Sequence, residues 1–89
     1  MEYEWDEEKC ISNITKHHVD FAIIFDVDWS AALIMRDMRE DYGEERYLAY
    51  VPINNRLHAV IYTPRDNTRR IISLRKANKR EIAYYEYAI

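Results

Sequence analysis

Residues 46–75 read RYLAYVPINNRLHAVIYTPRDNTRRIISLR, and this stretch decides the fold. It holds three runs rich in β-branched and aromatic residues, at positions 46–53, 56–63 and 69–75. Asn54-Asn55 separates the first two runs, and residues 64–68 separate the last two. Both separators favour hairpin turns, since Asn tolerates a positive φ. The three runs are therefore predicted to form an antiparallel meander.

The chain before this meander carries a strand signal and then a helix signal. Residues 2–5 alternate polar and aromatic side chains, which predicts a short half-buried strand. Asp6 is a favourable N-cap for a helix over residues 7–16, whose acidic first turn suits the positive end of the helix dipole. Cys10, Ile11 and Ile14 are predicted to form the buried stripe of this helix.

Further elements follow on both sides of the meander. Asp20 can cap a second short helix, with Phe21, Ile24 and Phe25 on its buried side. The apolar run at residues 31–35 predicts a strand, and the polar residues 37–45, which contain the single glycine, predict a loop. Residues 76–87 carry apolar side chains at helical spacing and predict a C-terminal helix laid across the sheet.

The predicted fold class is α+β, with a short N-terminal strand, two helices, an antiparallel sheet meander and a C-terminal helix. With one Gly and two Pro in 89 residues the sequence has no linker, so residues 1–89 are expected to form one domain. A hydrophobic fraction of 48% excludes intrinsic disorder. No apolar run reaches the roughly 20 residues of a membrane span, and the N-terminus is acidic, so a cytoplasmic location is expected. The lone Cys10 leaves no internal disulfide and no thiolate metal site.

Charge divides the sequence into two halves of opposite sign. Residues 1–45 carry four Lys/Arg against thirteen Asp/Glu, whereas residues 46–89 carry nine against three. Seven cations lie close together near the end of the chain: Arg65, Arg69, Arg70, Arg75, Lys76, Lys79 and Arg80. Arginine contacts phosphate at two points, so the cluster suits a nucleic-acid surface. For the stretch as a whole, the alternative is a solvated structural face. One of these Arg side chains could instead stack on a core aromatic.

Strand alternation sorts these cations into two groups. It predicts that Arg69, Ser73 and Arg75 share one face of the last strand, and that Arg70, Ile72 and Leu74 share the other.

Lys16, His17 and His18 end the first predicted helix and form a second candidate site. Histidine moves protons near neutral pH, which suits general acid-base catalysis. A metal site is also conceivable, but adjacent histidines point in different directions on a helix, and i, i+4 spacing is the usual arrangement. The simplest alternative is that both histidines favour the negative end of the helix.

Tyr62-Thr63-Pro64-Arg65 at a strand end is a third candidate. RNA cleavage without a metal needs a base for the 2′-hydroxyl, an acid for the leaving oxygen and cations for the phosphorane. Tyr62 could take part, or it could be a core or edge aromatic. The sequence contains no glycine-rich phosphate loop, Gly-x-Ser-x-Gly elbow or zinc pattern, which argues against nucleotide-cofactor and protease functions.

An ordered set of motifs resembles the BrnT family of toxins from bacterial type II toxin-antitoxin systems. The opening match comprises Glu4-Trp5-Asp6, Lys9, Asn13, Lys16-His17 and Asp20-Phe21. The later matches are Gly43-Glu44-Glu45-Arg46-Tyr47, Val60-Ile61-Tyr62-Thr63-x-Arg65, Arg70-Ile71-Ile72-Ser73-x-Arg75-x-Ala77, Lys79-Arg80-Glu81 and Tyr85-Glu86. Two features depart from the family pattern. His18 stands where the family usually has Gly, which could alter where His17 points, and residues 27–41 match poorly.

The resemblance implies a RelE/ParE-like fold and a ribonuclease that stops translation. It also implies a BrnA-like antitoxin with a ribbon-helix-helix domain, and operator DNA binding only through the toxin-antitoxin complex. The expected enzyme is a metal-independent endoribonuclease without a cofactor. A non-catalytic, degenerate toxin that binds antitoxin and assists operator binding is the alternative. Direct DNA binding is disfavoured because no helix carries basic residues along one face.

Within this hypothesis, the residues receive two kinds of role. Expected catalytic residues are Lys16 and His17 for proton transfer, and Arg65, Arg75 and Arg80 for stabilising the transition state. Expected RNA-binding residues are Arg46, Tyr62, Arg69, Arg70 and Lys79. The first helix is expected to bring Lys16 and His17 beside the cationic surface.

Overall fold

A computed structural model describes residues 2–89. Its strands are β1 (Glu2–Glu4), β2 (Leu33–Arg36), β3 (Tyr47–Ile53), β4 (Arg56–Arg65) and β5 (Thr68–Lys76). The α-helices are α1 (Glu7–His17) and α2 (Lys79–Ala88), and two short 3-10 helices cover Phe21–Asp26 and Trp29–Ala31. The α+β class and the order of the predicted elements are confirmed, and the second 3-10 helix is an addition. Among residues 2–89, no helix combines the length and apolar character that a membrane span requires.

The sheet is a five-stranded layer in the order β1-β5-β4-β3-β2. Strands β2 to β5 form an antiparallel meander, as predicted, and β1 adds in parallel to β5. Asn54 and Asn55 have φ values of 51° and 65°, so both adopt the left-handed conformation of a tight hairpin turn. Asp66 has a φ of 53° in the β4–β5 turn. The Asn and Asp side chains thus explain where the strands reverse.

The two sides of the sheet differ in what covers them. The core face carries buried Val51, Val60 and Leu74, which cluster with Phe21 and Ile24 of the first 3-10 helix. We call the opposite side, on which α2 lies, the open face. Tyr84 of α2 packs edge-on against Tyr50 at 6.3 Å, and the Tyr85 hydroxyl donates to the Ala31 carbonyl at 2.5 Å. The middle of the open face stays only partly covered.

The predicted buried stripe of α1 is confirmed at Cys10 and wrong at Ile11 and Ile14. Ile11 and Ile14 are 58% and 39% exposed, whereas Cys10 and Asn13 are buried against the sheet. Asn13 donates to the carbonyls of Leu74 at 2.6 Å and Val19 at 2.9 Å, and it accepts from the Leu74 amide at 3.2 Å. Strand β1 pairs only with residues 68–70 of β5, so no strand covers the edge of β5 farther along. There the Asn13 side-chain amide makes the hydrogen bonds that the Leu74 amide and carbonyl would otherwise lack.

Phe25 was also expected on a buried side, and it is 67% exposed. The cause is the type of helix. A 3-10 helix has three residues per turn, so Phe21 and Ile24 share its buried face and Phe25 turns outward. Its ring instead meets Tyr3 edge-on at 5.4 Å.

The last strand contains an irregularity that reverses the predicted faces. Ile61 pairs with Ser73 but Tyr62 pairs with Ile71, so Ile72 is an extra residue in β5. Alternation therefore changes phase in mid-strand. Arg69 stacks over core-face rings, while Arg75 lies on the open face beside α2, so the prediction that they share a face is wrong.

Helix α2 begins at Lys79, three residues later than predicted. Asn78 is its N-cap: its side chain accepts from the Glu81 amide, and the Glu81 carboxylate accepts from the Asn78 amide, both at 2.9 Å. This reciprocal capping box satisfies two backbone donors that a helix start otherwise leaves open. It also places the Glu81 carboxylate at the open face.

Candidate active site

A groove crosses the open face between α2 and the loop that follows β2. The groove has a volume of about 350 Å³. Met35, Leu48 and Ile61 give it an apolar lining, and charged side chains stand at both ends. An apolar pocket with a few convergent polar groups is the usual form of a ligand site, so this groove is the candidate active site.

Arg75 and Glu81 form an ion pair on the α2 side of the groove. The Arg75 terminal nitrogens donate to the two Glu81 carboxylate oxygens at 2.7 and 2.8 Å, and the Tyr50 hydroxyl donates to the same carboxylate at 3.2 Å. The hydrogen bonds from Arg75 lower the pKa of Glu81 to about 2. Burial, followed by the nearby Glu81 charge, raises the pKa of Tyr50, which keeps that hydroxyl protonated at neutral pH.

We expect acid to remove the stabilisation that this pair provides. The Glu81 pKa lies below its ordinary value of 4.5, so the contribution is fully present above pH 4.5 and is lost as the pH falls towards 2. The free energy of unfolding of the wild type should exceed that of Glu81→Gln by on the order of 3 kcal/mol at pH 6, and the difference should shrink towards pH 2. Urea denaturation across this range measures it, and a pH-independent difference would contradict the assignment.

A second charged pair stands at the loop side of the groove. The Arg39 Nε and one terminal nitrogen each donate to Asp37 at 2.8 Å. Asp37 is buried, and these hydrogen bonds lower its pKa. The Tyr42 hydroxyl also donates to Asp37, at 3.4 Å. The pair fixes the start of the loop and leaves the exposed Arg39 side chain beside the groove.

Three of the expected cations lie together at the far end of the open face. Arg65 contacts Glu44 at 3.4 Å, Arg70 contacts Glu4 at 3.7 Å, and the Arg46 guanidinium lies 3.9 Å from the centre of the Tyr42 ring. Arg65 pairs with Thr68 in the sheet and Arg75 with Ala59, which separates them by about 20 Å along β4. The cations that lie on the open face therefore stand at its two ends instead of forming a single cluster.

Tyr62 and Arg69 belong to the core face. Tyr62 is buried, stacks on Tyr47 at 5.8 Å and meets Trp29 edge-on at 5.6 Å. The Arg69 guanidinium lies 3.8 Å from the centre of the Trp29 ring. The expected alternatives, a core aromatic and an Arg stacked on one, are what the structure contains. These contacts give both side chains a structural position away from the groove.

Lys16 and His17 lie beside β5 on the α1 side. With Lys9, Ser12 and Asn13 they line a pocket of about 230 Å³ whose other wall is Ile72 and Ser73. These α1 residues share one helix face because they are spaced three and four apart. The pocket is separated from the groove by β5, so the structure does not bring Lys16 and His17 onto the open face with Arg75.

Lys79 and Arg80 form the exposed first turn of α2, next to the Arg75–Glu81 pair. Among residues 2–89, no group of three or more His, Cys, Asp or Glu side chains is arranged to hold a metal ion. Arg39 and Arg75, which line the groove, are cations that suit an anionic ligand.

A family model for the ribonuclease toxin BrnT of type II toxin-antitoxin systems matches residues 5–81. The chain belongs to the BrnT family. Membership implies an RNA substrate and an antitoxin partner. The match spans every BrnT-like site residue expected from the sequence, from Lys16 to Arg80. No curated protein matches the chain significantly.

Three groove residues of this BrnT-family chain, Arg39, Tyr50 and Glu81, received no role from the sequence. The spacing of Asn78 and Glu81 is the signature of a capping box and could have located Glu81. Nothing local links Glu81 to Arg75 or Tyr50, because that contact depends on where α2 crosses the sheet. Arg39 lies within residues 27–41, where none of the BrnT-like motifs quoted from the sequence falls.

His18 stands at a position where the sequence resemblance predicts a glycine, and it leaves the helix end intact. Its φ of 58° is left-handed, and its amide donates to the Ile14 carbonyl at 2.8 Å, as a glycine at this position would. We expect His18→Gly to raise the free energy of unfolding by about 1 kcal/mol, since only glycine adopts this conformation without strain. Urea denaturation measures it beside His18→Ala, which keeps the strain. A glycine variant no more stable than the alanine variant would contradict this explanation.

Proposed function

We propose that this chain is a metal-independent endoribonuclease that cleaves cytoplasmic RNA and thereby stops translation. The single observation that carries the proposal is Arg75, whose guanidinium is fixed by Glu81 beside an open groove. Each terminal nitrogen of Arg75 has a second hydrogen that Glu81 does not use: Nη1 also contacts the Lys76 carbonyl at 3.4 Å, and Nη2 keeps its second donor free. Those donors suit the negative charge that develops on a phosphorane.

The proposed reaction is an attack by the 2′-oxygen of the RNA on the adjacent phosphorus. The bond from phosphorus to the 5′-oxygen then breaks, a base takes the 2′-hydroxyl proton, and an acid protonates the departing oxygen. The products are a 2′,3′-cyclic phosphate and a 5′-hydroxyl. Arg75 is the proposed charge-stabilising group. Arg80 in the adjacent turn holds a neighbouring phosphate, and Arg65 at the far end holds a phosphate farther along the RNA.

Lys16 and His17 remain the proposed proton-transfer groups. Support comes from Ser73, which lines their pocket and pairs with Ile61 of the groove floor. One strand therefore lies between the groove and the two side chains. The proposal requires the scissile phosphate to lie over the edge of β5, between Arg75 and these two side chains, so that all three act on one phosphorus.

The proposed partner is a BrnA-like antitoxin with a ribbon-helix-helix domain. An acidic antitoxin segment that pairs with Arg75 and Arg39 would exclude RNA from the groove by direct competition, since both offer exposed cationic surface. Operator DNA would be bound only through the antitoxin in the complex.

Induced expression of the chain alone tests the proposal. We expect growth to stop and cellular RNA to be fragmented, while an Arg75→Ala/Arg80→Ala variant that accumulates folded allows growth. Continued growth with folded wild-type protein would overturn the proposal and favour the non-catalytic, antitoxin-binding alternative.

A further inference from the structure

Two buried polar atoms lack a partner at the end of the open face farthest from α2. Thr63 is 3% exposed, and its hydroxyl has no hydrogen-bond partner. The Arg46 Nε is likewise buried and unpaired. A buried polar group without a partner costs about 1–3 kcal/mol, so such a group calls for an explanation.

The strand register brings Thr63 together with two arginines. Thr63 pairs with Arg70 of β5. Strand β3 lies on the other side of Thr63, and there Tyr47 pairs with Tyr62. Because the two strands are antiparallel, Arg46, which precedes Tyr47, lies opposite Thr63, which follows Tyr62. Tyr62 faces the core, so alternation turns Thr63 to the open face. Arg65, two residues farther along β4, follows it on the same face.

The present partners of these arginines leave much of their hydrogen-bonding capacity free. Arg70 meets Glu4 only at 3.7 Å, and Arg65 makes a single contact of 3.4 Å with Glu44. Arg46 stacks on Tyr42, an interaction that uses no N–H group. Guanidinium groups beside a hydroxyl are the donors that bind phosphate at several points.

The acidic loop after β2 lies against two of these arginines, Arg46 and Arg65. Glu44 and Tyr42 belong to that loop, and together with Arg46 they line a cavity of about 330 Å³. The Glu44 carboxylate stands against Arg65, where it supplies the negative charge that a phosphate oxygen would supply. The loop therefore contacts two of the arginines around Thr63, and the buried Thr63 hydroxyl is left without a bond.

We propose that Arg46, Thr63, Arg65 and Arg70 form a phosphate subsite for RNA, and that Glu44 competes for it in the free protein. This inference rests on the proposed function, since the phosphate is that of the RNA substrate. Thr63, at the centre of the subsite, lies about 13 Å along β4 from Ala59, the pairing partner of Arg75, so the subsite holds a different phosphate from the one at the bond that breaks. Its contribution is to RNA affinity.

Binding of a fluorescent 2′-O-methyl RNA tests the subsite, because this RNA lacks the attacking hydroxyl and cannot be cleaved. Thr63→Val replaces the hydroxyl with a methyl group and should weaken RNA binding about tenfold. It should not lower the urea midpoint, because the Thr63 hydroxyl has no hydrogen-bond partner to lose in the free protein. Glu44→Gln should tighten binding severalfold more than Glu86→Gln, which changes the net charge equally on exposed α2.

The two variants must shift affinity in opposite directions. Unchanged binding by folded Thr63→Val, or equal effects of the two Glu→Gln changes, would overturn the subsite. Failure to bind the RNA would also overturn it. If wild-type protein cleaves ordinary RNA while Thr63→Val binds as tightly as wild type, the subsite fails and the proposed function stands. If the shifts occur without cleavage of ordinary RNA, the subsite stands and the nuclease proposal fails.

Discussion

Arg75→Ala is expected to lower the RNA cleavage rate of the purified protein by a factor of about 100 to 1,000. Removing one preorganised donor to a charged transition state has an effect of this size. Arg75→Lys should recover little of the activity, because an ammonium cannot make the two parallel bonds that fix Arg75 on Glu81. Single-turnover cleavage of a labelled RNA measures the chemical step.

A matched control separates this effect from a general loss of cation charge. Arg56→Ala removes an exposed arginine whose side chain donates to the Ala77 carbonyl at 3.2 Å, at the β3–β4 turn. We expect this variant to cleave at close to the wild-type rate. Equal losses in the two variants, or full activity of folded Arg75→Ala, would show that Arg75 has no specific role.

Asn13→Ala is expected to lower the free energy of unfolding by about 3 kcal/mol. The substitution removes three hydrogen bonds and leaves the buried amide and carbonyl of Leu74 and the carbonyl of Val19 without this partner. That loss is a large part of the stability of a small domain, which is about 5–15 kcal/mol. Urea denaturation at neutral pH is the appropriate measurement.

Ser12→Ala is the control for Asn13→Ala. Ser12 is exposed on the same helix, so its removal should change stability by less than about 0.5 kcal/mol. If Asn13→Ala costs no more than this control, the amide does not hold α1 to the sheet edge.

Local signals in the sequence predict much of this fold. Asp6, Asn54 and Asn55 mark a helix start and a hairpin, and each does so by a mechanism confined to neighbouring residues. Asn13 and Ile72 show where such reasoning ends. A polar residue that completes a distant strand edge, and a bulge that shifts the pairing of β5, both depend on contacts between segments far apart in sequence.

The candidate site is predictable in its chemistry but not in its layout. Arg75 and Arg80 follow from the charge pattern and the family resemblance, and both lie near the groove. Because of the bulge at Ile72, Arg69 lies on the core face, where its guanidinium stacks on the Trp29 ring. Helix α1 packs on the opposite side of β5, so Lys16 and His17 stand apart from Arg75. Strand alternation alone could not supply these placements.

The most direct test of the central claim is the chemistry of the RNA ends produced by wild-type protein in excess EDTA. A groove that works with Arg75 and protein proton-transfer groups should yield 2′,3′-cyclic phosphate and 5′-hydroxyl ends at an undiminished rate. Cleavage that requires added divalent metal and leaves 5′-phosphate ends would contradict the account.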